Sequence, residues 1–194
     1  MRGKVALLGV ALALALQTGC GGAQGVQSVG AGAYALTPAD IGARVHRRVN
    51  QLRASYGLRA LSWESELLPI ARDHSADMMR RNYFAHHSPE GHSFKHRYQA
   101  GGYRCEAPID ERRYLTGGEN LALSHRFTGT RVYSDGRRVP YGKRTAEQIA
   151  ERVVTGWFNS PGHRRNMLNP HWRKEAIGVV IGVDGRIWVT QNFC

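Results

Sequence analysis

Near the end of the chain, one pattern restricts the fold more than any other. Apolar residues occupy every second position on both sides of an Asp184-Gly185 turn: Ile177, Val179, Ile181 and Val183 before it, Ile187 and Val189 after it. A period of two residues is typical of β-strands, and an Asp-Gly pair between two such runs favours a hairpin. We therefore expect these two strands to lie centrally in a sheet whose faces are covered by helices.

Earlier stretches of the chain carry the signals of helices. The first predicted helix begins with an N-cap and a proline at Thr37-Pro38 and ends at Gly57, and the second runs roughly from Glu64 to Asn82. A third begins with a capping box at Thr145 to Gln148 and continues to Trp157. Residues 131–141 are predicted to form a hairpin that is a surface insertion.

The stretch WFNSPGHRRNML, residues 157–168, ends one helix and begins another. Ser160 before Pro161 favours a helix start, because the serine hydroxyl can accept from a backbone N–H of the new first turn and proline needs no N–H there. His163 then lies in that first turn, where the helix dipole favours the neutral imidazole. A neutral imidazole can take a proton or bind a metal, so we expect this short helix to position His163.

The other histidines have weaker signals. Three of them lie within seven residues: His86, His87 and His92. Adjacent histidines often point in different directions, so at most two of these would share a site with His163. We expect His46 to be exposed on the first helix, His74 to have a capping or core role, and Tyr83-Phe84 to fill the core.

The N-terminal residues have the layout of an export signal. Arg2 and Lys4 precede an apolar run over residues 5–16, and small residues and Cys20 follow. The run is shorter than the roughly 20 apolar residues that a membrane-spanning helix needs. A signal peptide over residues 1–20 is therefore predicted, with Cys20 as the lipidated first residue of a lipoprotein.

An alternative processing site stays open. Gln17 stands where lipoprotein signals usually have leucine, so conventional cleavage after Ala23 would release a secreted protein instead. The Gly-, Ala- and Gln-rich residues 21–36 are predicted to be a flexible linker, and residues 37–194 to be the domain. The expected location is the cell envelope, through a lipid anchor, or the extracellular medium.

Beyond the predicted signal peptide, the chain has two cysteines, Cys105 and Cys194. An even pair in an oxidising compartment usually forms a disulfide, which here would join the end of the chain to a central loop. The functional alternative is a thiolate nucleophile, but neither cysteine lies in a recognisable nucleophile motif.

The chain is strongly basic, with a formal net charge of +12 that is spread over its length. An exported basic protein meets anionic envelope polymers and lipid headgroups before nucleic acid, so we expect no nucleic-acid partner. An equally simple interpretation of this charge is that the protein is a monomer whose basic residues only keep its surface solvated. The familiar HExxH, GxSxG and CxxC motifs of zinc and nucleophile enzymes do not occur in the sequence.

Several stretches, in order, resemble the CAP superfamily of cysteine-rich secretory proteins, plant pathogenesis-related proteins and venom allergens, most closely its bacterial members. They are Asn50 and Arg53 in the first helix, HSADM from His74, NYFAHHSPEG from Asn82, GENLA from Gly118, WFNSPGHRRNML from Trp157 and TQNF from Thr190. The resemblance covers nearly all of residues 40–194.

The resemblance implies an α+β fold, a three-layer α-β-α sandwich with a mostly antiparallel sheet and a cleft lined by two histidines and two glutamates. His86, Glu119 and His163 match the first histidine, the first glutamate and the second histidine. Ser160 stands where the family has its second glutamate, so Zn²⁺ or another divalent metal on His86 and His163 would need water to complete its ligands. The expected neighbours in the cleft are His87, Asn120 and Ser160.

Three functions follow from this reading. The favoured one is a binding module whose cleft holds a lipid, a sterol-like molecule or a cell-wall ligand. The second is a metal-assisted, protease-like hydrolase in which His86, Glu119 and His163 supply a base and an activated water. The third is a structural or interaction protein without a small ligand, in which the three side chains only satisfy one another's hydrogen bonds.

Overall fold

The computed structural model describes residues 36–194, in which helices alternate with short strands. The elements are α1 Pro38–Ser55, β1 Ser62–Trp63, α2 Leu67–Arg80, α3 Phe94–Ala100, β2 Ala107–Pro108, β3 Tyr114–Leu115, β4 Gly118–His125, β5 Phe127–Val132, β6 Arg138–Lys143, α4 Ala146–Asn159, α5 Pro161–Met167, β7 Lys174–Ile181 and β8 Arg186–Phe193. The predicted signal peptide, Cys20 and the predicted linker up to residue 35 lie outside the described residues. Leu36 packs against the core.

The C-terminal hairpin is the centre of a four-stranded sheet of order β1-β7-β8-β4. β7 and β8 pair antiparallel, β4 pairs antiparallel with β8, and only β1 is parallel to its neighbour. This confirms the central position predicted from the alternating residues. The prediction is wrong at Val183, which is fully exposed in the turn, because the N–H of Gly185 already closes that turn on the carbonyl of Gly182.

Helices cover both faces of this sheet. On one face α1 packs on β7 and α4 on β4, and the two helices pack against each other. On the other face α2 packs on β7 and β8, where the hydroxyl of Ser75 lies 2.8 Å from that of Thr190. Gly178 permits this approach, since a Cβ there would lie 2.2 Å from the backbone of Ala71. The molecule is therefore the α-β-α sandwich that the sequence predicted.

Two of the five helices in residues 36–194, α1 and α4, begin with the side-chain cap that the sequence predicts. The Thr37 hydroxyl accepts from the N–H of Asp40, and Thr145 forms the predicted capping box with Gln148. Ser160 does not behave as predicted: it is the residue before α5, but its hydroxyl makes no capping hydrogen bond. Pro161 is sufficient to begin this helix, because its missing N–H leaves one donor fewer to satisfy.

A chain of buried polar side chains crosses the α1 face of the sheet. Glu175 accepts from the amide of Gln191 at 2.5 Å, and Gln191 accepts from the amide of Asn120 at 3.0 Å. His46, expected to be exposed, is instead half-buried, with its Nδ1 2.6 Å from Glu175. The prediction failed because the basic side of α1 turns toward this buried carboxylate, which needs a hydrogen-bond partner.

The last residue is tied to the loop after α3. Cys105 and Cys194 are joined by a disulfide with a Cα–Cα distance of 5.4 Å. The carbonyl of Cys194 also accepts from the N–H groups of Arg173 and Lys174, each at 2.7 Å. The end of β8 is therefore held by covalent and hydrogen bonds close to where β4 begins.

Residues 127–143, which we call the ribbon, form a two-stranded hairpin of β5 and β6 beside the main sheet. All residues of β6 are exposed, which confirms the predicted surface insertion. Within residues 36–194, no helix has both the length and the apolar character needed to cross a bilayer.

Candidate functional site

Glu119 is the buried centre of the candidate site. It is the second residue of β4 and is only 4% exposed. One carboxylate oxygen, Oε1, lies 2.9 Å from Nδ1 of His86, and the other, Oε2, accepts from Nη2 of Arg97 at 2.7 Å. Both oxygens are thus engaged by cationic or donor groups, which is what a buried carboxylate requires.

Arg97, on α3, fixes the loop that carries the histidines. Besides its bond to Glu119, Nη2 donates to the carbonyl of His86 at 3.1 Å, and Nη1 donates to the carbonyl of His92 at 2.9 Å. One guanidinium therefore binds both the backbone carbonyl of His86 and the carboxylate that contacts its ring. This role could not be predicted, because Arg97 is one of 27 lysine and arginine residues and lies in no motif.

His74 lies behind Glu119 and is a third imidazole of the site. Its Nε2–H donates to the carbonyl of Ala85 at 3.1 Å, and the same nitrogen is 4.0 Å from Glu119 Oε1. Burial lowers the pKa of His74, and the nearby charge of Glu119 opposes this only in part. The predicted core role is correct, but its position against the carboxylate was not anticipated.

His163 approaches from the other side, on α5. Its ring centroid is 6.2 Å from that of His86. Burial lowers the pKa of His163, and the positive charge of a protonated His86 lowers it further. The sequence predicted a neutral ring from the helix dipole; the structure gives the same direction through burial and a neighbouring imidazole.

Asn120 and Asn166 attach α5 to β4. Asn120 Nδ2 donates to the carbonyl of His163 at 3.1 Å, and Asn166 Nδ2 donates to Asn120 Oδ1 at 2.9 Å and to the carbonyl of Glu119 at 3.0 Å. The predicted neighbour Asn120 thus positions the histidine through its backbone. The structure therefore brings His86, Glu119 and His163 together through three separate elements.

A groove of about 340 Å³ leads away from this cluster along the outer edge of β4. Its lining residues are Phe84, Leu121, Ala122, Leu123, Ser124, Arg152, Val153, Gly156, Trp157, Ser160 and His163. Phe84 was predicted to fill the core and is instead 46% exposed, because the preceding Tyr83 alone packs on the core. Ser160 lies at the histidine end, as expected, whereas His87 is exposed and makes no hydrogen bond to residues 36–194.

The donor set does not fit a divalent cation in this arrangement. Among the described residues, no three side chains of His, Cys, Asp or Glu are placed so as to hold a metal ion. The one carboxylate near the two imidazoles is already paired with Arg97, whose charge would repel a bound Zn²⁺.

Fold and site together define a class of protein: an α-β-α sandwich whose cleft is formed by two histidines and a glutamate from separate elements. Residues 46–193 match the model of the family described as CAP, cysteine-rich secretory protein family. The chain belongs to this family.

Two Bacillus subtilis (strain 168) proteins are similar to the chain. It is 33% identical over 150 residues to the uncharacterized protein YkwD, covering 77% of this chain and 45% of that protein. It is 31% identical over 144 residues to the uncharacterized membrane protein YlbC, covering 74% of this chain and 31% of that protein. The chain therefore spans less than half the length of either relative.

A solved structure shares the fold. An extracellular protein with an SCP domain from Bacillus anthracis str. Ames superposes with a TM-score of 0.55 at 26% identity, covering 82% of this chain and 44% of that protein.

Proposed function

We propose that the protein is an exported binding protein whose groove holds an amphipathic envelope ligand: a lipid, a sterol-like molecule or a cell-wall component. The observation that carries this proposal is the gradient of polarity along the groove. The exposed apolar side chains of Phe84 and Leu123 line the groove together with the imidazole of His163, and the ring centroid of His86 lies 6.2 Å from that of His163. Apolar surface with a few convergent polar groups is typical of small-molecule sites.

The two ends of the groove favour different parts of such a ligand. Leu123 is 45% exposed and Phe84 is similar, so an apolar chain covering them would remove that surface from water. At the other end, the hydroxyl of Ser160 and the ring of His163 supply donors and acceptors for a headgroup. The ligand would lie along β4 with its polar end at the histidines.

Export is supported by several observations. Residues 1–20 have the layout of a signal peptide, and the Cys105–Cys194 disulfide suits an oxidising compartment. The Bacillus anthracis neighbour is described as extracellular, and YlbC as a membrane protein. Anchoring through Cys20 is the form of export that we propose, which mass spectrometry of the purified N-terminal peptide would test.

A fluorescent fatty acid, dansyl-undecanoic acid, serves as the probe of the groove. A second cavity of about 390 Å³ lies between α1, α2 and β7, so the experiment must separate the two. Leu123→Gln places an amide in the groove, whereas Ala43→Gln, at an exposed α1 position, fills the second cavity. We expect Leu123→Gln to weaken probe binding at least fivefold and Ala43→Gln to leave it within twofold.

The opposite pattern would place apolar ligands in the second cavity and refute the groove as their site. An absence of probe binding in the parent protein, together with no binding of purified peptidoglycan fragments, would favour a structural or interaction protein. Circular dichroism of each variant establishes that the fold is intact.

A hydrolase is the second candidate, and one observation favours it. Glu119 and Arg97 orient His86 beside His163, whose lowered pKa keeps it uncharged and able to accept a proton near neutral pH. Turnover of casein or of peptidoglycan by the parent protein, lost in His163→Gln, would establish this activity. Parent protein that binds such substrates without turnover would exclude it.

A further inference from the structure

The ribbon combines basic and apolar side chains on an exposed surface. Residues 127–143 contain four basic residues and one acidic residue, Asp135. Asp135 is already paired with Arg137 across the turn, with Oδ2 3.2 Å from Nε. Alongside these charges, Val132 is 57% exposed and Tyr141 is 53% exposed. Large apolar residues clustered on an exposed hairpin indicate an interaction surface.

The strand register places basic and apolar side chains together on each face of the ribbon. On one face, Val132 pairs with Arg138. On the opposite face, Arg131 pairs with Val139, and Tyr141 lies opposite Gly129. The side chains of Arg131, Val139 and Tyr141 therefore project from the same side as that of Lys143. The guanidinium of Arg131 lies 6.0 Å from the ring centroid of Tyr141. At the tip, the guanidinium of Arg137 lies 4.8 Å from the ring of Tyr133. Both tyrosines of the ribbon are thus accompanied by a cation.

The base of the ribbon is fixed to the domain. The ring of Phe127 packs against Gly185, where a Cβ would lie 2.7 Å from it, and the N–H of Arg126 donates to the carbonyl of Gly185 at 2.8 Å. Arg144 closes the base through its N–H, which donates to the carbonyl of Arg126 at 2.8 Å. An isolated two-stranded hairpin is only marginally stable. The contacts at its base therefore allow the ribbon to project from the domain as an ordered element.

Protection of the strand edges explains only part of the composition. Basic residues and proline on an exposed edge prevent pairing with other chains, which accounts for Arg138, Pro140 and Lys143. Edge protection gives no reason for exposed Val132 and Tyr141, because apolar side chains on a free edge promote association. A partner with both an anionic and an apolar layer accounts for all of these residues.

We propose that the ribbon binds the surface of a bilayer that contains anionic phospholipids. Tyrosine is favoured at the boundary between headgroups and acyl chains, and each Lys or Arg near an anionic surface contributes about 1 kcal/mol of binding. The tip side chains enter this boundary, and the cations contact lipid phosphates. The proposal does not depend on what the groove binds.

Sedimentation of the full chain with vesicles tests the electrostatic part of the proposal. Vesicles of phosphatidylcholine alone are compared with vesicles containing 30% phosphatidylglycerol, and the ratio of the two partition coefficients is measured. The N-terminal segment is the same in every variant, so its contribution cancels. We expect Arg131→Gln/Arg138→Gln/Lys143→Gln to lower this ratio on the order of 100-fold, about fivefold for each cation.

The matched control removes three exposed cations outside the ribbon. Arg80→Gln/Lys95→Gln/Arg112→Gln lowers the net charge by the same amount. This control is expected to keep the ratio within threefold of the parent. Equal losses in both triple variants would mean that diffuse charge causes the binding, which would overturn the proposal.

A further variant distinguishes binding to a bilayer from binding to a soluble polyanion. Val132→Ser/Tyr133→Ser removes apolar surface at the tip but keeps every cation. We expect it to weaken binding to phosphatidylglycerol vesicles at least fivefold while leaving binding to inorganic polyphosphate unchanged. Unchanged vesicle binding in this variant, with loss of polyphosphate binding in the ribbon triple variant, would identify a polyanion site and refute membrane binding. Thermal unfolding of each variant confirms that the domain is folded.

Discussion

The buried carboxylate of Glu119 has an arginine as its partner. In a metal site, the carboxylate oxygens would instead be free to bind the ion. Arg97 donates to Oε2 at 2.7 Å and His86 Nδ1 lies 2.9 Å from Oε1. A guanidinium in this position gives charge balance and a fixed geometry at once. The Glu119 carboxylate is therefore held in place by Arg97 and His86 together.

Removal of Arg97 is expected to create zinc affinity. In Arg97→Gln, Oε2 of Glu119 loses its cationic partner and becomes available beside the imidazoles of His86 and His74. Isothermal titration with Zn²⁺ should then show binding at least tenfold tighter than in the parent, because about 1.4 kcal/mol of charge repulsion is sufficient for that change. The added affinity should disappear in Arg97→Gln/His86→Ala. Zinc binding by the parent that His86→Ala abolishes would contradict the expectation.

The buried imidazole of His74 and the half-buried imidazole of His163 make the stability of the domain depend on pH. The pKa values of His74 and His163 are both lowered by burial, so the unfolded chain binds protons more tightly than the folded one. Stability is therefore highest above the ordinary histidine pKa of about 6.5 and falls as the pH drops below it. His74→Gln should flatten this dependence, as measured by melting temperature between pH 5 and pH 8. His87→Gln, at an exposed residue, is the control and should not. An equally steep dependence in His74→Gln would assign it to other groups.

The site residues differ in how well sequence alone identifies them. His86, Glu119 and His163 lie in motifs whose order along the chain matches a known family, so they were predicted together. Arg97 could not be identified, because its role depends on a tertiary contact 22 residues away from Glu119 along the chain. Phe84 was misassigned, because an aromatic residue in a loop has the same composition signal whether it faces the core or a groove.

Among the elements, β4 illustrates how an open sheet edge is protected by side chains. The carbonyls of Glu119, Leu121 and His125 accept from Asn166, Trp157 and Arg144 respectively. In an antiparallel strand, alternate residues direct their N–H and C=O groups to the same edge, so these three acceptors lie on the outer edge beside the groove. Edge strands that lack such partners promote association.

Trp157→Phe tests this role of the tryptophan. The substitution removes the Nε1–H donor that lies 2.8 Å from the Leu121 carbonyl. The carbonyl of the buried Leu121 then loses this hydrogen bond. We expect a loss of about 1–3 kcal/mol in the free energy of unfolding and faster aggregation on heating. Urea denaturation and light scattering measure the two effects.

Trp172→Phe is the matched control for that substitution. Trp172 is also buried, but its Nε1 has no hydrogen-bond partner among residues 36–194. The two substitutions remove similar ring volume, so their difference isolates the hydrogen bond. Equal losses in the two variants would show that ring packing alone accounts for the effect.

The strands and helices were predictable to the extent that their signals are local. The alternation around Asp184-Gly185 and the capping box at Thr145 act within a few residues, and both elements are found where they were predicted. Two-residue strands such as β1 were not predicted, because they exist only through pairing with distant β7. Ser160 failed as a cap because its conformation depends on how α4 and α5 meet.

Over the whole molecule, the cleft depends on where β8 ends. Gly118 and Glu119, the first residues of β4, pair with Phe193 and Asn192 of β8, so the position of the site carboxylate is set by the last residues of the chain. Tyr98 reinforces this junction, since its hydroxyl lies within 3.2 Å of the carbonyl of Gly118 and 3.0 Å of that of Phe193. The disulfide of the adjacent Cys194 holds the same junction.

Loss of the disulfide should therefore weaken both the fold and the site. Cys105→Ala/Cys194→Ala opens a loop of 89 residues, for which we expect a loss of about 2–4 kcal/mol in the free energy of unfolding. Because β8 ends at Phe193, beside Cys194, it should fray there without the disulfide, and the groove should also lose affinity for dansyl-undecanoic acid under conditions where the domain is still folded. Denaturant titration gives the first effect and fluorescence titration the second. Leu68→Val, at a residue that lines the second cavity, is the stability control. Unchanged probe affinity in the cysteine variant, at full native circular dichroism, would mean that Tyr98 and the β4–β8 ladder hold the site without the covalent link.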